Sequence, residues 1–182
     1  MMAAHSSMCS QGFWLRGFDH FELPMLIRNI EEKDLVAIRE IYSLYYKDEK
    51  DLEHFLNRVK EVLNKSELAQ QWDFHYLVGE VDGEVVGLIG FRKPAEKLMQ
   101  FTKTSKPVEL YSLFVGEKSK GTGRLLLVEM TKQVRGSGYT EIVVYSSEKW
   151  NESWGFYDKL GFVRVGKLDV GGNGQIWRMI LD

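Results

Sequence analysis

The segment KSKGTGRLLLVEM, residues 118 to 130, is the most informative part of this sequence. Gly121 and Gly123 stand at the start of a leucine-rich amphipathic helix, predicted for residues 121 to 135, and follow the strand-like segment ELYSLFV (109–115). The first N–H groups of a helix have no acceptor within the helix, and the helix dipole places positive charge at the same end. Because glycine has no Cβ, a ligand can approach this backbone closely. The stretch therefore predicts a cradle for an anion such as a phosphate or a pyrophosphate.

Two well-known phosphate loops do not fit this glycine turn. A Walker loop needs a lysine and a hydroxyl residue directly after its last glycine, whereas Gly121 is followed by Thr122 and Gly123. A dinucleotide fingerprint needs a third glycine where this chain has Leu126. Taken alone, an isolated GxG is more often a pair of loop glycines before a helix than a ligand site. The neighbouring segments decide between these alternatives.

The composition of the 182-residue chain is ordinary for one globular domain, with 44% hydrophobic and 27% charged residues. A net charge of −2 gives no reason to expect nucleic acid or an anionic membrane as a partner. Cys9 is the only cysteine, which excludes a disulfide within the chain and favours a cytoplasmic location. The four scattered histidines and this cysteine lack metal-ligand spacing, so we expect no metal site.

The first 24 residues differ from the rest of the chain. They are rich in aromatic residues and lack the continuous apolar core of a secretory signal. Residue 25 begins the stretch MLIRNIEEKDLVAIREIY, which is typical of a domain start. We therefore expect one domain over residues 25–182 and an extension over residues 1–24. The extension is an upstream-start artefact, a docked segment or an interface arm.

Hydrophobic periodicity predicts strands and helices that alternate through the middle of the chain. The predicted strands are residues 25–30, two strands around the hairpin signal Asp82-Gly83, residues 109–115 and 141–147, and a last hairpin of 162–170 with 175–181. The predicted helices begin near residues 35 and 51 and cover 121–135 and 151–160, with a loop or short irregular helix over 93–107. The apolar run at 141–147 indicates a strand buried on both faces. The fold class is therefore α/β or α+β with a mixed sheet.

Three segments together resemble the GNAT superfamily of N-acetyltransferases over residues 25–182. The turn is similar to a family motif that consists of Gln or Arg, any two residues, Gly, any one residue, and Gly or Ala. Lys118, Gly121 and Gly123 stand at the three defined positions of this motif. Residues 109–115 resemble the acyl-binding strand of the family, and NESWGFYDKLGF (151–162) resembles its Asn-helix-Tyr-x-Lys-Leu-Gly-Phe signature. The resemblance implies a mixed, mostly antiparallel sheet with a splayed parallel strand pair, flanked by about four helices.

Acetyl-CoA is the co-substrate that the resemblance implies. Its pyrophosphate would lie in the turn, and its thioester and pantetheine would lie between strands 109–115 and 141–147. Asn151 matches a residue that bonds to pantetheine, and it is also a good N-cap for its own helix. The implied cofactor-binding residues are Leu113, Phe114, Val115, Lys118, Ser119, Lys120, Gly121, Thr122, Gly123, Arg124 and Asn151. Lysine at position 118 offers a compact charge in place of the family's forked or amide donor.

Two residues match catalytic positions of the family. Tyr157 matches the tyrosine that protonates the departing thiolate, and a phenol with an ordinary pKa near 10 can donate a proton at neutral pH. Glu109 stands four residues before Leu113, where histone-acetylating relatives place a general-base glutamate. The alternatives are a core tyrosine at 157 and a solvated strand-end glutamate at 109. If Glu109 is not the base, water, Tyr111 or Ser112 would accept the proton of the attacking amine.

The predicted function is transfer of an acetyl group from acetyl-CoA to a primary amine of a small molecule or peptide, by direct attack in a ternary complex. A non-catalytic acyl-CoA sensor on the same fold is the alternative. With its only cysteine in the extension, the chain has no cysteine nucleophile for an acetyl-enzyme. The acidic residues Asp48, Glu49, Asp51 and Glu53 favour a cationic acceptor, whereas the lysine-rich loop 93–107 favours an acidic acceptor or the cofactor phosphates. A homodimer is compatible with the sequence.

Overall fold

A mixed sheet of seven strands organises the part of the chain that the computed structural model describes, residues 25–116, 121–169 and 173–181. The strands are β1 (Leu26–Asn29), β2 (His75–Val81), β3 (Glu84–Arg92), β4 (Pro107–Val115), β5 (Glu141–Ser147), β6 (Val163–Asp169) and β7 (Asn173–Ile180). Their order across the sheet is β1-β2-β3-β4-β5-β7-β6. Neighbours β4 and β5 are parallel, and the other neighbouring pairs are antiparallel. This topology confirms the predicted fold class.

Six α-helices lie within the described ranges, and one of them, α3, is not predicted from the sequence. They are α1 (Leu35–Ser43), α2 (Glu49–Leu63), α3 (Glu67–Trp72), α4 (Glu96–Met99), α5 (Thr122–Gly136) and α6 (Trp154–Lys159). Two 3-10 turns, Glu32–Asp34 and Glu148–Ser153, precede α1 and α6. The unpredicted helix α3 is only six residues long, and the four-residue α4 lies in the segment 93–107 that is predicted as a loop or short irregular helix. Of the longer helices, α1 and α2 cover one face of the sheet and α5 covers the other, together with the shorter α6.

The core has two halves because side chains alternate across the sheet. On β2, Tyr76 and Val78 pack in the α1–α2 half, while Leu77 between them packs in the α5–α6 half. Helix α5 buries the four side chains that its periodicity predicts, Leu126, Leu127, Met130 and Val134. Strand β5 has the predicted bounds, and its first four residues are buried. The period-based predictions for these two elements are confirmed.

Helix starts differ from prediction where local caps decide them. Helix α2 begins two residues earlier than expected, because the side chain of Asp48 accepts the N–H of Lys50. The sequence does not predict α3, which is capped by the hydroxyl of Ser66 and is too short for apolar periodicity to show. The predicted hairpin at Asp82-Gly83 is present, with positive φ at both turn residues. The extension 1–24 and most of the last hairpin's turn lie outside the described residues.

Two further observations on the described residues concern membrane-spanning helices and metal sites. The longest helices, α2 and α5, have 15 residues each, and none of the described helices is long and apolar enough to cross a membrane. Within the same ranges, no group of three or more His, Cys, Asp or Glu side chains is placed to hold a metal ion.

Candidate active site

Strands β4 and β5 are paired over only a part of their lengths. Their parallel register covers Pro107 to Leu110 of β4 and then ends. Beyond that point β4 continues to Val115 as a partner of β3, and β5 continues to Ser147 as a partner of β7. The two strands therefore separate, and a gap opens in the sheet at their carboxyl ends.

A β-bulge lies where the strands separate. On β3, Gly90 lies opposite Ser112, and the next residue, Phe91, lies opposite Leu110, so Tyr111 is the extra residue on β4. A bulge bends its strand and increases the local twist. The bulge therefore accounts for the departure of β4 from β5. The sequence carries no signal of it, because residues 109–115 contain no glycine or proline.

Successive main-chain N–H groups of β4 point alternately toward β3 and into the gap. Gly116 donates its N–H to the carbonyl of Val86 on β3 at 2.8 Å. In an antiparallel ladder every second residue bonds in this way, so Phe114 also directs its N–H toward β3. Leu113 and Val115 direct theirs into the gap. Of the three implied cofactor-binding residues on β4, Leu113 and Val115 are therefore placed to bond a ligand through their N–H groups, whereas Phe114 is not.

The N–H of Val115 already has an intramolecular partner. It donates to the hydroxyl of Tyr45 at 3.3 Å, and the same hydroxyl donates to the Val115 carbonyl at 2.9 Å. The N–H of Leu113 has no partner in the sheet, because β5 is no longer paired at this level. A ligand in the gap would find one open donor and would compete with Tyr45 for the other.

Helix α5 begins without a side-chain cap. Its N-cap, Gly121, has a left-handed φ of +78°, and the first bond of the helix runs from the N–H of Leu125 to the Gly121 carbonyl at 3.1 Å. The N–H groups of Thr122, Gly123 and Arg124 therefore have no acceptor within the helix. The predicted cradle has its backbone donors in place here. Its other predicted members lie outside the described residues: Lys118, Ser119 and Lys120.

The start of α5, the gap and α6 meet at Gly123. A methyl group on Gly123 would lie 3.6 Å from the ring of Phe156 on α6 and 3.8 Å from the side chain of Leu113 on β4. The predicted pyrophosphate cradle and the open donor of β4 are therefore neighbours on the α5–α6 side of the sheet.

Tyr157, the residue after Phe156, is buried between α6 and the sheet. Its ring centroid lies 5.1 Å from that of Trp177 and 5.7 Å from that of Phe162. Burial raises the pKa of the Tyr157 phenol above its ordinary value near 10. The hydroxyl therefore keeps its proton throughout the neutral range, as a proton donor must. The packing equally fits a core tyrosine, so the catalytic role stays a prediction.

A family model matches the region that contains these features. Residues 35–162 match the model of the Acetyltransferase (GNAT) family. The chain belongs to this family. Acetyl-CoA-dependent acetyl transfer is the general activity of GNAT proteins. The resemblance that the glycine turn, the preceding strand and the Tyr157 helix indicate is confirmed.

Solved GNAT structures share the fold of the chain. A putative acetyltransferase of the GNAT family from Desulfovibrio desulfuricans has a TM-score of 0.71 at 21% identity, covering 87% of this chain and 99% of that one. The PaiA N-acetyltransferase from Thermoplasma acidophilum, in complex with coenzyme A, has a TM-score of 0.62 at 22% identity, covering 86% and 98%. YncA, a putative acetyltransferase from Salmonella typhimurium with its cofactor acetyl-CoA, has a TM-score of 0.61 at 22% identity, covering 87% and 94%. No curated protein matches the chain.

Glu109 is buried in an ion pair within this GNAT domain. It is 6% exposed, and its oxygens accept from Nε and Nη2 of Arg92 at 2.9 and 3.2 Å and from the N–H of Ala95 at 3.0 Å. The interpretation as a solvated strand-end glutamate is therefore wrong. Arg92 also lies over the ring of Tyr111, with 4.1 Å between the guanidinium carbon and the ring centroid. The role of Glu109 as a base stays a prediction.

Asn151 is not the N-cap of α6. It is exposed and lies inside the 3-10 turn, in which Trp150 departs from helical geometry with φ −112° and ψ 27°. Helix α6 begins three residues later, after Ser153. The capping interpretation is therefore wrong, because the chain makes a separate turn before the helix. Contact between Asn151 and pantetheine stays a prediction.

Three buried hydroxyls, on β2, β4 and β5, make no hydrogen bond of regular geometry within the described residues, although two of them, those of Tyr76 and Ser112, act on each other. They belong to Tyr76 on β2, Ser112 on β4 and Ser147 at the end of β5. The side chains of Tyr76 and Ser112 both lie against Gly90 of β3, next to the bulge. Leaving a buried hydroxyl unpaired costs about 1–3 kcal/mol, so such groups suit a site that a ligand or water completes. The sequence indicates only Ser112, because tyrosine in β2 is typical of an ordinary strand.

The lysine-rich loop 93–107 lies at the other end of β4 from the cradle. Lys93 and Lys106 line a surface cavity of about 490 Å³ at the amino end of the strand, whereas α5 follows its carboxyl end. A strand rises about 3.3 Å per residue, so β4 separates these ends by roughly 25 Å. This distance contradicts the interpretation of Lys93 and Lys106 as ligands for phosphates in the cradle.

We expect Gly121→Ala to weaken coenzyme A binding and to lower the free energy of unfolding by about 1–2 kcal/mol. The left-handed φ of +78° strains any residue with a Cβ and would distort the start of α5. Calorimetry with coenzyme A and urea denaturation measure the two effects. Gly136→Ala is the matched control, because Gly136 is exposed at the other end of α5, without a positive φ or a neighbour within 4 Å. Equal stability and affinity of the two variants would contradict this role of Gly121.

Proposed function

We propose that the chain transfers an acetyl group from acetyl-CoA to a primary amine acceptor, by direct attack in a ternary complex. The gap between β4 and β5, with the Leu113 N–H directed into it, carries this proposal. A thioester carbonyl at this N–H would gain a main-chain donor for the oxyanion that forms during attack. The coenzyme A and acetyl-CoA named for two structures of similar fold support the choice of co-substrate.

The residues around the gap fit a ligand of this length and charge. The uncapped N–H groups at the start of α5 would hold the pyrophosphate, with Lys118, Ser119 and Lys120 as the predicted preceding contacts. An extended arm in the gap would bond to β4 as a strand partner does, through Leu113 and, in place of Tyr45, Val115. Asn151, in the turn after β5, is the proposed side-chain contact.

The reaction makes one bond and breaks one. The neutral amine nitrogen bonds to the acetyl carbon while the C–S bond breaks, so the amine loses a proton and the thiolate gains one. We assign the donated proton to Tyr157, whose burial keeps the phenol protonated. We assign acceptance of the amine proton to water, because Arg92 and Ala95 already hold the oxygens of Glu109. Glu109 then acts by fixing the geometry beside the bulge.

Thiol release from acetyl-CoA, measured over a panel of amines, amino acids, aminoglycosides and peptide N-termini, tests the proposed function. We expect release that depends on both acetyl-CoA and an amine. Coenzyme A binding without thiol release on any acceptor would favour the non-catalytic sensor. A protein that binds no coenzyme A would contradict both functions.

We expect Tyr157→Phe to lower kcat at least about tenfold and to leave the affinity for coenzyme A within about twofold. The variant keeps the ring that packs against Trp177 but removes the proton donor. Steady-state kinetics and calorimetry measure the two quantities. Tyr139→Phe is the matched control, because it removes a hydroxyl bonded to Asp73 beside the amino end of β4. Unchanged turnover in Tyr157→Phe would exclude the tyrosine as the acid.

We expect Glu109→Gln to lower the free energy of unfolding by about 1–3 kcal/mol, because Arg92 stays buried and loses its charged partner. With water as the acceptor of the amine proton, the acid limb of the kcat/KM pH profile is expected to remain. Urea denaturation and the pH profile measure these outcomes, with Glu84→Gln at the exposed start of β3 as the control. Loss of the acid limb would identify Glu109 as the general base instead.

A further inference from the structure

Six aromatic side chains gather where α1 ends beside the separated part of β4. We call them the aromatic cluster: Tyr42, Tyr45, Tyr46, Phe55, Phe114 and Trp150. Tyr42 is stacked between Tyr46 and Phe55, with centroid distances of 4.6 and 4.2 Å. Phe114 meets the edge of this stack at 5.1 Å from Tyr42, and Trp150 lies 5.5 Å from Tyr46. Tyr46, Phe114 and Trp150 are partly exposed, so the cluster presents ring surface to solvent.

A side-chain cation already lies on this surface. Nζ of Lys149 is 4.4 Å from the ring centroid of Tyr46 and 5.1 Å from that of Trp150. An ammonium within about 6 Å of a ring is attracted by the negative face of the ring. Lys149 is itself exposed and is attached by a flexible stem. The rings therefore hold an ammonium group, and that group belongs to an exposed and flexible side chain.

The charges around the cluster also favour a cation. Burial is the main cause that raises the pKa of Tyr42 and Tyr46, and the negative charge of Asp51, in the first turn of α2, raises both further. Nearby Lys47 directs its ammonium to the carbonyl of Ser43 at 2.9 Å. Arg39 and Glu49 form an ion pair with each other. Asp51 is thus a carboxylate whose negative charge reaches both phenols.

The cluster adjoins the proposed reaction centre. Phe114 directly follows Leu113, the residue with the open N–H in the gap, and its side chain lies on the α1–α2 side of the sheet. The hydroxyl of Tyr45 bonds to the main chain of Val115. An acceptor that reaches the thioester from the α1–α2 side would therefore pass the aromatic cluster.

Resting on the acetyl-transfer function above, we propose that the aromatic cluster binds a second, non-reacting ammonium group of the acceptor, which displaces the ammonium of Lys149. The acceptor class is then a di- or polyamine, or another amine with more than one cationic group. The attacking nitrogen must be neutral, whereas the second nitrogen keeps its proton and supplies the binding charge. Lys149 acts as a tethered competitor that occupies the rings until such an acceptor arrives.

Kinetics with matched acceptors test this proposal. We expect unbranched diamines of three to six carbons to have kcat/KM values about tenfold above those of the corresponding alkyl monoamines. Tyr46→Leu is expected to remove this preference, and Tyr46→Phe, which retains a ring face, to restore most of it. Lys149→Gln is expected to lower the KM of the diamines and not that of the monoamines. Lys132→Gln, at an exposed lysine of α5, is the control.

Tetramethylammonium tests the cluster without turnover, because it carries a positive charge and cannot be acetylated. We expect calorimetry to show tighter binding to Lys149→Gln than to the unaltered protein, and weaker binding to Tyr46→Leu. Equal kcat/KM values for diamines and monoamines, or a rise in diamine KM in Lys149→Gln, would overturn the proposal. Tetramethylammonium affinity that is equal in the three proteins would also overturn it. If coenzyme A binds but no amine releases thiol, the proposed function fails. The tetramethylammonium measurement then still shows whether the aromatic cluster binds an ammonium group.

Discussion

The separation of β4 from β5 after Leu110 leaves main-chain groups of both strands unpaired in the middle of the sheet. Main-chain N–H groups inside a protein need acceptors, yet the gap leaves the N–H of Leu113 without one in the sheet. The gap cannot close by simple sliding, because β3 holds β4 as far as Val115 and β7 holds β5 as far as Ser147. An extended ligand in the gap would therefore supply the strand contacts that β4 and β5 do not make with each other.

Side-chain alternation after the bulge gives the two faces of β4 different tasks. Leu113 and Val115 pack in the α5–α6 half of the core, beside the start of α5, and Phe114 packs in the α1–α2 half. The acyl donor would be recognised by main-chain groups and a helix start, which depend little on side-chain identity. The acceptor would meet side chains such as Phe114 and Ser112. The same strand would thus bind the acyl donor through its main chain and the acceptor through its side chains. Substitutions on β4 could therefore change the acceptor while the donor stays the same.

The parts of the fold that local pattern determines could be predicted from the sequence, and the parts that tertiary contacts determine could not. The 3.6-residue period of its apolar residues identifies the buried face of α5, and the apolar run at residues 141–147 identifies β5. The bulge at Tyr111 has no local marker, since it appears only in the pairing of β4 with β3. The burial of Glu109 depends on Arg92, 17 residues away in the chain. The aromatic cluster joins α1 to the turn after β5, so no spacing in the sequence indicates it.

Tyr45 connects the donor side of the gap to the acceptor side. Its hydroxyl bonds to both main-chain groups of Val115, and its ring lies 5.1 Å from Phe114 and 5.9 Å from Trp150. A donor that takes the N–H of Val115 therefore competes with a side chain that also forms part of the aromatic cluster. Because Tyr45 contributes to both proposed sites, a ligand in the gap would change the surroundings of the cluster. The physical link between the two proposed substrates would then be the Tyr45 hydroxyl, through its two hydrogen bonds to Val115 at the end of β4.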